Sequence, residues 1–188
     1  TTMKREKKFI LLAHCILNCN SKVEGLSSYS SGICTLVSKL LLQGYGIIQL
    51  PCIEMEMLGI KRWGVVKEQL DYPAFREKCR ELLQPILHQT VNYIRNGYTF
   101  AGVVGINGSP TCGVEFTCTG DEWGGELSKR DNTEKLSSRE LKERGIMIEE
   151  LEKMLLAKGI DIDIWGLDES RMDESIKEIL EEIEKDRK

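Results

Sequence analysis

The sequence predicts a single α/β domain of Rossmann or flavodoxin type, an open parallel sheet with strand order about 2-1-3-4 and a long loop inserted after strand 3. Three observations predict it. Short apolar runs of the buried-strand kind alternate with segments whose apolar residues recur at helical spacing. Glycines and prolines mark most of the changeovers. The chain of 188 residues suits one domain, spanning 1–188, that buries roughly two thirds of its unfolded surface.

Residues 9–13 (FILLA) make the first strand, and Cys15 follows at once. Residues 21–31, rich in Ser and Gly, form a loop; Ile33, Leu36, Val37, Leu40 and Leu41 then mark a helix that Gly44 stops. Residues 46–50 (GIIQL) are the second strand, ended by Pro51 and Cys52, which completes a right-handed βαβ unit. A loop is expected over 53–69. Asp71 is the predicted cap of a long helix with Pro73 in its first turn, where a missing N–H costs nothing. Phe75, Cys79, Leu82, Leu83, Ile86 and Ile94 line its inner face, and Pro85 should kink or divide it. Gly97 ends it. Residues 101–106 (AGVVGI) are the third strand, whose glycines predict close approach of another backbone, and 107–112 (NGSPTC) are its exit loop. Residues 113–143 show no period and read as a flexible loop or lid within the domain, with a weak helix over 138–144. Ile148, Leu151, Met154 and Leu155 mark the next helix, stopped by Gly159. Residues 160–165 form a fourth strand, placed at the sheet edge because Asp161 and Asp163 alternate with apolar neighbours. Met172, Ile176, Ile179, Leu180 and Ile183 give a last helix from about residue 170.

Composition narrows the function classes. Acidic residues exceed basic ones by 30 to 26 with no basic stripe, which argues against a nucleic-acid partner and for a small ligand. No run approaches 18 apolar residues, and residues 1–8 are basic without a signal-type apolar region, so a cytoplasmic protein without membrane contact is expected. A homodimer is compatible with the sequence. Seven cysteines, an odd count, with nothing directing secretion, leave free thiols, metal ligands or a redox pair open rather than a disulfide framework.

Cys15, Cys52 and Cys112 each stand where a strand gives way to a polar or Gly/Pro-marked stretch. In an open parallel sheet the carboxyl ends of the strands face one crevice. With strands about 4.8 Å apart, the outer two of three neighbours lie roughly 10 Å from one another, which suits ligands around a cluster several ångströms wide. Three thiolates without an obvious fourth partner match an open metal site. Cys-x-x-Cys pairs are absent, Cys15-x3-Cys19 being the nearest approximation, so a zinc ribbon is not indicated. Buried inert cysteines are the alternative.

His14-Cys15-Ile16-Leu17-Asn18, Pro51-Cys52-Ile53-Glu54 and Asn107-Gly108-Ser109-Pro110-Thr111-Cys112-Gly113 resemble, in order and spacing, the three signature segments of the thiouracil desulfidase family and its related desulfidases. The likeness covers roughly the first two thirds of the chain. It implies a 4Fe-4S cluster held by Cys15, Cys52 and Cys112, with one iron open to the sulfur of a small thiolated substrate, and redox-neutral removal of that sulfur as sulfide. It also implies that Glu54 acts in proton transfer and Ser109 in positioning substrate or water. The thiouracil enzymes carry a second cysteine farther beyond the first segment and a Gly-Gly stretch after the second. Here Cys19 is closer and Met55-Glu56-Met57-Leu58-Gly59 follows, which implies a different substrate pocket. A sulfide or iron-sulfur carrier, a metal-free persulfide sulfurtransferase and a mononuclear zinc hydrolase are the competing classes.

Other residues carry two readings each. Cys19 and Cys118 are loop thiols or persulfide holders, and Cys34 and Cys79 fall on apolar helix faces as small buried hydrophobes. His14 is a structural histidine or a proton shuttle, and His88 is structural. Trp123 is a surface contact or a cover over a flat heterocycle. Lys61, Arg62 and Trp63 form a solvated loop or meet an anionic or aromatic substrate.

Overall fold

The computed structural model describes residues 4–120, 123–126 and 138–185. Its core is a four-stranded parallel sheet of β1 (Lys8–Leu12), β2 (Gly46–Gln49), β3 (Thr99–Ile106) and the late strand β6 (Ile164–Leu167). Their order is β2-β1-β3-β6, all neighbours parallel. The predicted order 2-1-3-4 therefore holds. β1 is buried along most of its length, with Ile10, Leu11 and Leu12 fully enclosed, as a strand covered on both faces must be.

Helix α2 (Cys34–Leu42) links β1 to β2, α5 (Pro73–Arg95) links β2 to β3, and α6 (Ile146–Leu156) precedes β6. The last helix, α7 (Met172–Lys185), follows it. Helices α5 and α6 pack against each other, while the end of α2 reaches α7 through Gln43 and Glu184. Right-handed crossovers place these two pairs on opposite faces of the sheet.

Several local expectations are corrected. The stretch 53–69 is not all loop: it holds the short helices α3 (Ile53–Leu58) and α4 (Lys67–Leu70). In α3 the acidic Glu54 and Glu56 complement the positive first turn, and Ile53 anchors it in the core. Tyr72, not Asp71, is the N-cap of α5, and Asp71 instead accepts from Arg76. Pro85 does not divide α5, which continues through it for 23 residues. Pro85 and Glu81, whose carbonyl loses its helical partner, are both exposed, so the break in the hydrogen-bond ladder falls on the solvent side of the helix. Cys34 is exposed rather than buried, whereas Cys79 is enclosed as expected. Residues 138–144 hold no helix but strand β5 (Arg139–Leu141), antiparallel to β4 (Thr117–Thr119). Part of the expected loop is thus a small two-stranded sheet, and 121–122 and 127–137 lie outside the described residues. The fourth sheet strand begins at Ile164, not 160, and does occupy an edge.

The glycines of β3 do mark close approach. Gly102, at φ +139°, sits where the β1–β3 register shifts, and a methyl group there would collide with the Asp163 carbonyl and the Trp165 ring. Gly105 is covered by the Cys112 carbonyl.

A buried ion network joins α5 to α6. Glu150, 4% exposed in its side chain, receives Arg76 and Arg80 at 2.8 Å and Lys153 at 3.2 Å. Burial alone would raise its carboxyl, but hydrogen bonds from Arg80, Arg76 and Lys153 outweigh that and hold it below the ordinary carboxylate value. A depressed folded value contributes stability above the unfolded value of about 4.3 and loses it as pH falls through the folded one. Glu150→Gln is therefore expected to cost about 2 kcal/mol at pH 7. In urea unfolding, the gap from the parent protein should close below about pH 4; an equal gap at both pH values would refute the ionic account.

Candidate functional site

The carboxyl ends of β2, β1 and β3 deliver the three cysteines. Cys15 lies in the single-turn helix α1 (His14–Leu17) after β1, Cys52 is the N-cap of α3 after β2, and Cys112 sits in the loop after β3. All seven cysteines are free. Burial pushes the Cys15 thiol up to about 12, with Lys22 opposing and Cys52 adding to the rise. Burial also drives Cys112 well above its ordinary value, with Cys15 and Cys52 contributing. Cys52 is raised by burial too, while Glu54 adds and the Met55 N–H and Arg62 oppose. All three cysteines thus follow neighbouring strands, at the carboxyl edge of the sheet. Among the described residues, no three His, Cys, Asp or Glu side chains are gathered as ligands of one metal ion.

The Cys112 loop is fixed by backbone contacts. The Cys112 carbonyl accepts from Ile106 N at 2.8 Å, and Gly145 N donates to the Gly113 carbonyl at 2.9 Å. At the start of α6, Ile146 and Met147 donate at 3.0 Å to the carbonyls of Pro110 and Thr111, occupying N–H groups the helix leaves free. Gly145 is needed for this fit, because a Cβ there would strike Thr111 and lie 2.8 Å from Cys112 N. Within the loop, Ser109 Oγ accepts from the N–H of Cys112 at 3.0 Å and of Thr111 at 3.3 Å.

Glu54 is 7% exposed. Its Oε1 accepts from the Thr111 hydroxyl at 2.8 Å, and its Oε2 pairs with Arg62 Nε at 3.3 Å. Arg62 also donates from Nη2 to the Ser21 carbonyl at 2.7 Å, which the Cys52 thiol approaches at 3.9 Å. Arg62 therefore faces inward with its charge committed to Glu54, contrary to the expected solvated loop, while Lys61 and Trp63 are exposed. The sequence offered one signal for this pair: a cation eight residues from an acid, on a chain that turns back at Gly59 (φ +80°).

A second polar group flanks Cys15. Lys22 Nζ binds both oxygens of Glu169 at 2.5 and 2.7 Å and lies 5.1 Å from the Tyr29 ring centre. The Tyr29 hydroxyl donates to the Cys15 carbonyl at 3.2 Å. Burial, then Cys15 and Glu169, push the Tyr29 phenol far up, so it stays a hydrogen-bond donor at all ordinary pH values. Glu169 lies in the turn Glu169–Arg171 after β6, so the fourth strand end also serves the crevice. Sequence reasoning missed Thr111, Tyr29 and Glu169; the strand-end rule that located the cysteines would have flagged Glu169.

The remaining candidates have structural partners. His14 donates from Nδ1 to the Leu50 carbonyl at 3.2 Å. The Cys19 thiol donates to the Tyr29 carbonyl at 3.2 Å and the Cys118 thiol to the Val65 carbonyl at 3.6 Å. Trp123 donates from its indole to the Gly64 carbonyl at 3.2 Å. His88 is exposed and pairs with Gln84.

Raised buried thiols are poor nucleophiles because they hold little thiolate. In metal-free protein at pH 8, iodoacetamide is expected to label exposed Cys34 first, with Cys15, Cys52 and Cys112 at least about tenfold slower. Mass spectrometry of tryptic peptides reads the order; faster labelling of Cys15 or Cys112 would contradict it.

Among the described residues, no helix is long and apolar enough to cross a membrane. No family model and no solved structure matches the chain. The uncharacterized protein MJ0003 of Methanocaldococcus jannaschii is 42% identical over 108 residues, a match covering 57% of this chain and 69% of that protein. With that identity over more than two thirds of the relative, the chain belongs to the family of MJ0003.

Proposed function

We propose that this protein is an iron-sulfur desulfidase that removes sulfur, as sulfide, from a small thiolated compound such as a thioamide or a thiolated base. One observation carries the reading: three free thiols, Cys112 buried and Cys15 and Cys52 partly buried, follow neighbouring strand ends beside a buried, ion-paired carboxylate. The donor set suits a 4Fe-4S cluster held by Cys15, Cys52 and Cys112. When bound, such a cluster supplies a Lewis-acidic iron with affinity for sulfur. The chain's own groups supply the rest. Ser109, half-buried, presents its hydroxyl to water or substrate, Glu54 takes up and returns a proton, and Arg62 holds Glu54 in place. Tyr29 and the Lys22–Glu169 pair fix the wall beside Cys15. In this reading the protein works in a reducing cytoplasm, where thiols stay free.

A sulfide carrier and a metal-free persulfide sulfurtransferase are the competing readings, and turnover separates them. Anaerobically reconstituted protein, given 2-thiouracil or thioacetamide and no partner protein, is expected to release many equivalents of sulfide per chain. Release of at most one equivalent would instead fit a carrier, and strong release by metal-free protein a sulfurtransferase.

A further inference from the structure

We infer that Arg62 is a clasp that fixes the turn beyond Cys15 against the helix that Cys52 caps, so that the spacing of these two ligands is set by the protein before a cluster binds. The inference rests on the proposed iron-sulfur reading and gives Arg62 a task beyond holding Glu54. Strands β1 and β2 pair as far as Leu12 and Gln49. Past those residues the two chains leave the sheet, and side chains join them. Just before the cysteines, Gln49 donates from Nε2 to the His14 carbonyl at 3.0 Å and His14 donates from Nδ1 to the Leu50 carbonyl at 3.2 Å. Just beyond the cysteines, Arg62 makes the corresponding link. Its Nη2 donates at 2.7 Å to the carbonyl of Ser21, in the turn Cys19–Ser21 that follows Cys15. Its Nη1 donates at 3.3 Å to the carbonyl of Gly59, the C-cap of α3, and its Nε at 3.3 Å to Glu54 Oε2 in the first turn of that helix. One guanidinium therefore grips both ends of α3 and the turn beyond Cys15.

The Ser21 carbonyl is the point where this grip meets a ligand, because the Cys52 thiol approaches the same oxygen at 3.9 Å. The Arg62 side chain is 5% exposed and Ser21 2%, so these bonds lie out of reach of easy replacement by solvent. Three acceptors in three directions also explain the residue type. The planar fork of arginine presents five N–H donors at fixed angles, whereas lysine offers one point of charge on a flexible stem. Arg62 is a positioning residue, acting on the ligands through Ser21 and α3.

Arg62→Met removes every donor and keeps an apolar stem; combining it with Glu54→Gln leaves no buried carboxylate unpaired. Glu54→Gln alone, in which Arg62 keeps the carbonyls of Ser21 and Gly59, is the reference. After anaerobic reconstitution, bathophenanthroline disulfonate is expected to strip iron from the double variant at least about tenfold faster than from the reference. Cys79→Ser, destabilised on α5 away from the strand ends, should lose iron at the wild-type rate, which separates the clasp from general stability. Arg62→Lys keeps the charge without the fork and is expected to lose iron at least about fivefold faster than wild type. A double variant within about twofold of its reference, or an Arg62→Lys protein at the wild-type rate, overturns the clasp. Cluster-free protein gives a second readout. The amides of Ser21 and Lys22, which close the turn onto the carbonyls of Asn18 and Cys19, should exchange with deuterium at least about fivefold faster in the double variant than in the reference, relative to amides of α5. Equal exchange overturns the clasp. A wild-type protein that takes up no iron overturns the iron-sulfur reading instead, and the exchange comparison still decides whether Arg62 holds the two segments together.

Discussion

Cys15→Ser, Cys52→Ser and Cys112→Ser are each expected to give folded protein that, after anaerobic reconstitution, carries on the order of a tenth or less of the wild-type iron and releases no sulfide above background. A serine hydroxyl is close to cysteine in size but remains protonated at neutral pH, so it cannot supply the soft anionic ligand. Folding should survive because the loop around Cys112 is held by backbone bonds to Ile106, Gly145 and the first turn of α6, not by its sulfur. Cys79→Ser is the control. Cys79 is buried on α5 away from the strand ends, so its replacement should cost about 1–2 kcal/mol of stability and no iron. Normal iron content in any of the three site variants would remove that residue from the ligand set.

Glu54→Gln is expected to retain full iron while kcat falls by about 100-fold or more. The amide oxygen still accepts from Thr111, so the loop keeps its shape, but it cannot take up a proton. Arg62 loses its charge partner while keeping the carbonyls of Ser21 and Gly59, and about 1–3 kcal/mol of stability should go with it. Turnover equal to the parent, measured at equal iron content, would exclude Glu54 from the chemistry.

The placement of Cys15, Cys52 and Cys112 was legible in sequence because it depends on topology: apolar runs ended by punctuation define strands, and parallel strands share one carboxyl edge. The same patterning identified β1, β2 and β3 and the two helix stops at Gly44 and Gly97, both at positive φ. Less legible were elements whose stability comes from tertiary contact. Helices α3 and α4 are six and four residues long, too short for a periodic signal, and β4 with β5 is a pair of three-residue strands. Pro85 misled because its effect depends on which face it occupies, and here it faces water. At the site, Arg62 and Thr111 were hidden for a related reason. Nothing in local composition distinguishes an arginine that turns inward to a carboxylate from one in solvent, or a threonine that bridges two segments from a loop filler.

The most direct test is the iron and acid-labile sulfide content of protein prepared and reconstituted without oxygen, together with its visible spectrum. About four of each per chain, with broad absorption at about 400 nm that disappears in the three Cys→Ser variants, is the expected result. Colourless, iron-free protein after complete reconstitution would contradict the assignment of Cys15, Cys52 and Cys112 as cluster ligands, and with it the desulfidase reading.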